Sequence, residues 1–237
     1  MKGSSTVLGN DGSFKLSDAE LLASKVALPC GRILPNRFVK VCSVTHSVEC
    51  DLRLFLKVAM YEHLAKLFGG PPNELHVSLY SKWAQGGWGM IITGNFQVSP
   101  HHLSLGRDIV IPAAMSTSTL EPFRNVAAAI HALSGKPSQR PLGVVQLSHT
   151  GRQSPRFIGG RFGSFRQPVA PSARRLGEDT NDGYISKLCY AIGFQVPHAL
   201  EEHEVQEVVG QFVHGAHFVH KAGFDGVELH AGHGCEP

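Results

Sequence analysis

The chain has 237 residues, 42% of them hydrophobic and 17% charged, with 26 glycines and a net charge of +3. That is enough apolar sequence for one large domain with a real core, or two small ones, and it fits a loop-rich α/β protein better than a helical bundle or a disordered tail. A charge this close to neutral gives no reason to expect a nucleic-acid partner.

The five cysteines, Cys30, Cys42, Cys50, Cys189 and Cys235, are odd in number, widely spaced and lack a C-x-x-C pair. Neither a disulfide framework nor a zinc site is expected, and a reducing cytoplasm is the default location. The opening "MKGSSTVLGNDGSFKLSDAE" lacks the apolar core of a signal peptide. No apolar run approaches the roughly 18 residues that span a membrane.

In chain order, residues 1–25 read as a disordered lead-in and 26–237 as the folded domain. "VALPCGRILPNRFVK" (26–40) predicts a short hairpin running into a strand. After a turn at Gly69 to Pro72, a helix is expected around Asn73 to Ala84, then a buried strand "WGMIITG" bounded by glycines. "LEPFRNVAAAIHALSG" predicts a helix stopped by Gly135, and "PLGVVQLSH" the strand that follows it. Thr150 to Ala199, rich in Gly, Ser, Arg and Pro, reads as one long functional or mobile loop. Val205, Val208, Val209, Phe212, Val213, Ala216 and Val219 recur at three- and four-residue steps. They predict a helix with one apolar face, feeding the strand "GFDGVELH".

Repeated helix-then-strand units predict an α/β fold with a parallel sheet and helices packed outside it. Ligands of such folds sit at the C-terminal ends of the strands. That directs attention to Gly94 and Asn95, Gln146 and His149, and His230 and His233.

His230 and His233 are three apart, so they share a direction only if the strand ends between them, and the intervening Ala-Gly makes that bend easy. The two imidazoles then converge on one point above the sheet; otherwise they are two unrelated polar residues at a strand terminus. A zinc site competes for the pair but needs a third ligand, and His214, His217 and His220 drift around a helix surface. Gln146 is a primary amide in an apolar strand, which suits the edge of a heterocycle and equally a structural hydrogen bond. Between Arg152 and Leu176 lie six arginines, three phenylalanines and no acidic residue. That stretch fits a surface loop facing solvent or an anionic small ligand, or else a basic arm stacking on nucleic acid. No phosphate-loop or nucleophile-elbow motif is present.

Taken together and in this order, "LPNRFVK", "GGWGMIITGN", "VVQLSHTGRQ", "PSA" and "GFDGVELHAGHG" resemble the old yellow enzyme family, FMN-dependent ene-reductases built on a (β/α)8 TIM barrel. The resemblance is closest to its fungal NADH:flavin oxidoreductase branch and covers most of residues 26–234. It implies the N-terminal half of such a barrel, FMN as cofactor, NADPH or NADH as hydride donor, and a small-molecule unsaturated carbonyl compound as substrate. It implies that Gly94 and Gln146 line the isoalloxazine ring with Met60 and Tyr61, the latter at a flavin-tuning position usually held by Thr or Cys. It also implies that His230 and His233 hydrogen-bond the substrate carbonyl oxygen. Negative charge grows on that oxygen as hydride reaches the β-carbon, and two fixed N–H donors stabilise it there.

Three departures stand out. The family's tyrosine proton donor, two positions after the second histidine, is replaced by Cys235, whose thiol reaches less far. The family pattern passes from "NRFVK" directly into a segment like "VAMYEHLA", whereas residues 41–57 stand between them here. The codons for Lys40-Val41-Cys42 and for Gly234-Cys235 admit splice donors, so 41–57 and the tail "CEP" are expected to be translated introns. In-frame donors and acceptors in the genomic sequence test this. Finally, only about four of the eight barrel strands are supplied. That predicts weak or absent activity for the chain alone, loss of the phosphate anchor, and self-association through an open apolar edge. The alternative reading is a non-catalytic half-barrel that serves as a binding or pairing module.

Overall fold

The computed structural model describes residues 7–8, 14–15, 18–41, 62–132, 140–161, 166–178 and 183–231. Met60, Tyr61, Gly135, His233, Cys235 and nearly all of the 41–57 segment lie outside the described residues, as does the "CEP" tail. Four strands form the main sheet: β1 Val39–Val41, β2 Met90–Gln97, β3 Leu142–Ser148 and β4 Gly226–Leu229. All three pairings are parallel, and the order across the sheet is the order along the chain. A two-residue strand, Ile109–Val110, adds in parallel to the end of β2. A sheet wound in one direction, without a reversal, carries its crossovers on one side and curls towards a barrel.

The helices cover the outer face. Helix α1, Glu74–Ala84, starts at Asn73, whose side chain accepts from the Leu75 and His76 N–H groups, while His76 Nδ1 accepts from the Asn73 N–H at 3.1 Å. Helix α2, Thr117–His131, begins a turn before the expected Leu120. Ser116 and Thr119 cap each other reciprocally, and that local satisfaction of N–H groups carries the helix past Pro122. Phe123 of α2 sits edge-on against Phe96 of β2, ring centroids 5.7 Å apart. Helix α4, Glu202–Lys221, joins the same cluster through Phe218, 4.9 Å from Phe123. These three rings and Tyr80 are fully buried and key the helices to the sheet.

Three expectations need correction. Thr150 to Ala199 is not one loop: it contains a parallel two-residue pairing of Val169–Ala170 with His198–Ala199, and helix α3, Tyr184–Gly193. No residue of α3 is buried, so its apolar Tyr184, Ile185, Leu188 and Ile192 form a helical stripe without a core behind it. The single apolar face expected of α4 is split. Val208, Phe212, Phe218 and Val219 are buried, but Val205, Val209 and Val213 remain exposed. Lastly, β2 does not stop at Gly94; it continues to Gln97 through an irregularity between Ile92 and Asn95.

The N-terminal ends of the strands are tied together by one carboxylate. Asp225, whose side chain is 2% exposed, accepts from Arg32 at 2.8 Å, Arg140 at 3.1 Å, the Gly143 N–H at 3.0 Å and His131 Nε2 at 2.8 Å. Arg32 comes from the antiparallel hairpin of Val26–Ala27 and Ile33–Leu34, which is thereby anchored to the start of β4. Burial opposes ionisation of Asp225, but the His131 and Gly143 hydrogen bonds and the charges of His131 and Arg140 prevail and hold its carboxyl below the ordinary range.

Candidate active site

The inner face of the sheet is read from residues that alternate with the core. Val145 and Leu147 of β3 and Phe96 of β2 pack towards the helices, so their neighbours Gln146, Ser148, Asn95 and Gln97 point the other way. Register then aligns them in rows. Asn95, Gln146 and Glu228 lie side by side on β2, β3 and β4, and Gln97 pairs with Ser148 in the next row. The His230 N–H donates to the Leu147 carbonyl at 2.9 Å, which extends the ladder and sets His230, 7% exposed, on the same face as Glu228.

Gln146 is held in one orientation. Its Nε2 donates to Glu228 Oε1 at 2.9 Å, and a carboxylate only accepts, so the amide oxygen must face the other way. That oxygen, Oε1, is buried without a hydrogen-bond partner. Asn95 is 1% exposed, and both of its amide atoms are likewise unpaired. Native structures seldom leave such atoms orphaned unless something else meets them.

The irregularity in β2 places Asn95 in this row. Where a ladder bond is missing, the Gln146 backbone N–H donates to Thr93 Oγ1 at 3.2 Å, and Thr93 Oγ1 donates to the Gly94 carbonyl at 2.8 Å. The one extra residue is absorbed at Thr93–Gly94, and the Gly94 N–H meets the Tyr80 hydroxyl at 2.9 Å and Glu62 Oε1 at 3.1 Å. Tyr80 also donates to Glu62. A Cβ at Gly94 would meet the Glu62 carboxylate, which would have to move aside. Bulges of this kind re-aim a side chain, and the one re-aimed here is Asn95.

Above the rows, one arginine staples the loop after β3 to itself and to the loop after β2. Arg161 donates from Nη1 to His101 O at 2.7 Å and to Ser154 Oγ at 2.6 Å, and from Nη2 to the carbonyls of Ser154 and Pro155, both at 3.1 Å. The arginine-rich stretch therefore spends at least this guanidinium on its own backbone. Next to it His149 stacks on His102, centroids 4.3 Å apart. Burial, and then the Arg161 charge, lower the His149 pKa to about 4, so the ring is neutral near pH 7. A cleft of about 500 Å³ opens between this loop and α4, lined by His101, His149, Arg161, His198, Glu204 and Gln211 among others.

Of the residues singled out in the sequence, the structure brings Asn95, Gln146 and His230 onto one face and keeps Gly94 at the bulge beside them. His149 points outward to the rim cleft instead. Met60, Tyr61 and His233 lie outside the described residues. Glu228 went unremarked in the sequence, although a carboxylate inside an apolar strand is the same signal that singled out Gln146. His214 Nε2 contacts the Pro112 carbonyl at 2.8 Å. Among the described residues no three His, Cys, Asp or Glu side chains gather as a metal site. Cys30 and Cys189 carry free thiols.

The architecture is the N-terminal half of a parallel β/α barrel with a polar inner face. The chain belongs to the NADH:flavin oxidoreductase / NADH oxidase family, which matches residues 54–235. It is similar to the NADH-dependent flavin oxidoreductase iliE of Hypocrea jecorina, 36% identical over 218 residues, covering 91% of this chain and 48% of that protein. It is also similar to the NADH-dependent flavin oxidoreductase iccE of Talaromyces variabilis, 33% identical over 214 residues, covering 90% of this chain and 45% of that one. The chain thus spans about half the length, or less, of these curated relatives. Among solved structures, morphinone reductase superposes with a TM-score of 0.64 at 22% identity, over 90% of this chain and 48% of its own. The old yellow enzyme homologue from Zymomonas mobilis gives 0.60 at 22% identity, over 89% and 48%. At that identity these two matches speak to the fold.

Proposed function

We propose that this chain forms the flavin-facing half of an FMN-dependent NAD(P)H oxidoreductase that reduces the activated C=C bond of an α,β-unsaturated carbonyl compound. The observation that carries the reading is Gln146: a buried amide whose donor end is fixed by Glu228 and whose acceptor end has no partner. Such an acceptor fits a planar ring with an N–H at its edge. When bound, FMN supplies the hydride chemistry that links a nicotinamide to an electron-poor alkene. The protein's own groups then have separable tasks. Gln146 orients the ring, with Gly94, Met60 and Tyr61 proposed to line it. His230, with His233, is proposed to hold the substrate carbonyl oxygen as its charge develops. Four strands offer no phosphate anchor from the last barrel loops, so the chain alone is expected to bind FMN weakly and to turn over slowly or not at all.

The test is an absorbance and fluorescence titration of the desalted protein with FMN, alone and mixed with the C-terminal half of the Hypocrea relative. Flavin retained on desalting the mixture, and bleached by NADH or NADPH under nitrogen, is the expected result. Failure of both preparations to take up flavin overturns the reading. No helix among the described residues is long and apolar enough to cross a membrane, and action in the cytoplasm belongs to this proposal.

A second reading rests on the open side of the sheet. Among the described residues nothing pairs with the outer edge of β4, and Val227 and Leu229 on it are 40% and 55% exposed. His214 and Phe218 engage the Pro112 carbonyl and Phe123 on the α2 side, so Val205, Val209 and Val213 of α4 lie on the flank away from α2. They adjoin a groove lined by Ala216, His220, Phe224 and Val227. This surface fits a second copy of the chain, with β4 of one protomer beside β1 of its partner, so that two halves complete one eight-stranded barrel.

A further inference from the structure

The geometry points to Asn95 as a cofactor-reading residue: with Gln146 it recognises the imide edge of the flavin, the run of C2=O, N3–H and C4=O, while Glu228 acts as the positioning residue that makes Gln146 an acceptor. This rests on the flavin reading above and adds to it a residue and a chemical specificity.

Three observations converge. The first is register. Asn95, Gln146 and Glu228 are aligned neighbours on adjacent strands, about 4.8 Å apart in the pairing direction, and all face the barrel interior. That spacing suits two amides meeting successive groups along one ring edge.

The second is the set of hydrogen bonds still to be made. Glu228 consumes the Gln146 amine, so the remaining Gln146 oxygen needs a donor, N–H or O–H. Asn95, 1% exposed, has both a carbonyl oxygen and an amine unpaired. An N–H flanked by carbonyl oxygen, the pattern of an imide, serves both residues. The N3–H donates to Gln146, and the Asn95 amine donates to an adjacent ring carbonyl. A carboxylate or a phosphate offers no N–H and leaves Gln146 unsatisfied.

The third is how the backbone arranges this. A regular β2 would carry its pairing with β3 straight through from Ile92, whereas the bulge at Thr93–Gly94 shifts register so that Asn95 is the residue opposite Gln146. Thr93 makes the shift tolerable by supplying the missing acceptor to the Gln146 N–H. Backbone irregularity that delivers an unpaired amide to a buried row is expected of a binding site and is costly in a purely structural strand.

The experiment uses the whole chain with lumiflavin as probe, which keeps the imide edge and lacks the phosphate, and 3-methyl-lumiflavin, which lacks the N3–H. Dissociation constants are read by fluorescence quenching, and melting temperatures are taken without flavin. For wild type, 3-methyl-lumiflavin should bind at least about fivefold more weakly than lumiflavin. Asn95→Leu should weaken lumiflavin binding by a similar factor, yet raise the flavin-free melting temperature by about 2–4 °C, because an unpaired buried amide is removed. Asn95→Ala guards against misfolding of the leucine variant and should also lose affinity. If lumiflavin binds wild type but binds Asn95→Leu and Asn95→Ala equally well, or if both variants melt lower with affinity intact, the amide is structural; the assignment falls and the flavin reading stands. Equal binding of the two flavins by wild type also removes it. If wild type binds neither flavin, both alone and mixed with the C-terminal half of the Hypocrea relative, both readings fall together.

Discussion

Asp225 ties distant parts of the chain to one buried carboxylate. Its carboxylate collects Arg32, His131, Arg140 and the Gly143 N–H, groups drawn from four places in the chain. Hydrogen bonds to a charged group are each worth about 1.5–3 kcal/mol, and the two arginines regain solvent once released. Asp225→Ala should therefore cost about 2–3 kcal/mol in urea unfolding at pH 7. The pH dependence has two windows. His149 and His76 are held neutral by burial, with pKa values lowered to about 4, whereas both protonate near 6.5 when unfolded. The unfolded chain then binds more protons between those values, so stability falls as pH drops from 6.5 to about 4. Asp225, with its folded pKa lowered, contributes stability that is complete above its unfolded pKa of about 3.9 and is lost only as pH falls through the folded value. Melting curves from pH 7 to 3 should show the first loss in wild type and in Asp225→Ala alike; the second should be missing from the variant. None of this was legible beforehand, because Asp225 and Arg32 are 193 positions apart and only the fold brings them together. Gln146 was legible, since an amide between Val145 and Leu147 stands out without any partner being known.

Among the elements, the strands were easier to read than the segments joining them. An apolar run bounded by glycines marked β2 and a second apolar run marked β3, and both faces of each strand are largely buried. The limits of β2 and α2 escaped because hydroxyl groups decide both: Thr93 carries the strand past a bulge, and Ser116 with Thr119 starts the helix upstream of Pro122. Helix α3 was hidden by the composition around it, although Tyr184, Leu188 and Ile192 repeat at four-residue steps. In the loop after β3, charge was misleading: six arginines suggested an outward role, while Arg161 makes its bonds to the loop itself and to His101 after β2. Burial lowers the Arg161 pKa only to about 10, so it stays charged at neutral pH and holds these carbonyls throughout. Arg161→Met should leave these acceptors without their guanidinium and open the loop near Ser154 and Pro155. Limited trypsin or chymotrypsin digestion should then cut between residues 150 and 161 at least several times faster than in wild type, with the helix signal in circular dichroism unchanged. Equal digestion rates would show that the staple is dispensable.

At the scale of the molecule, the question is what covers the far side of β4 and α4. Val205, Val209 and Val213 recur at four-residue steps along one side of the helix and yet are exposed, as are Val227 and Leu229. Exposed substitutions ordinarily change stability by less than about 0.5 kcal/mol. Val209→Lys combined with Val213→Lys should therefore preserve the fold while shifting sedimentation profiles from dimer towards monomer. If the wild-type chain sediments as a monomer at every concentration, pairing of two halves is wrong. If it pairs, folding and assembly become one equilibrium, and the unpaired strand couples them. A melting temperature for this polypeptide would then rise with the amount in the cuvette, and a value quoted without that amount would leave the stability undefined.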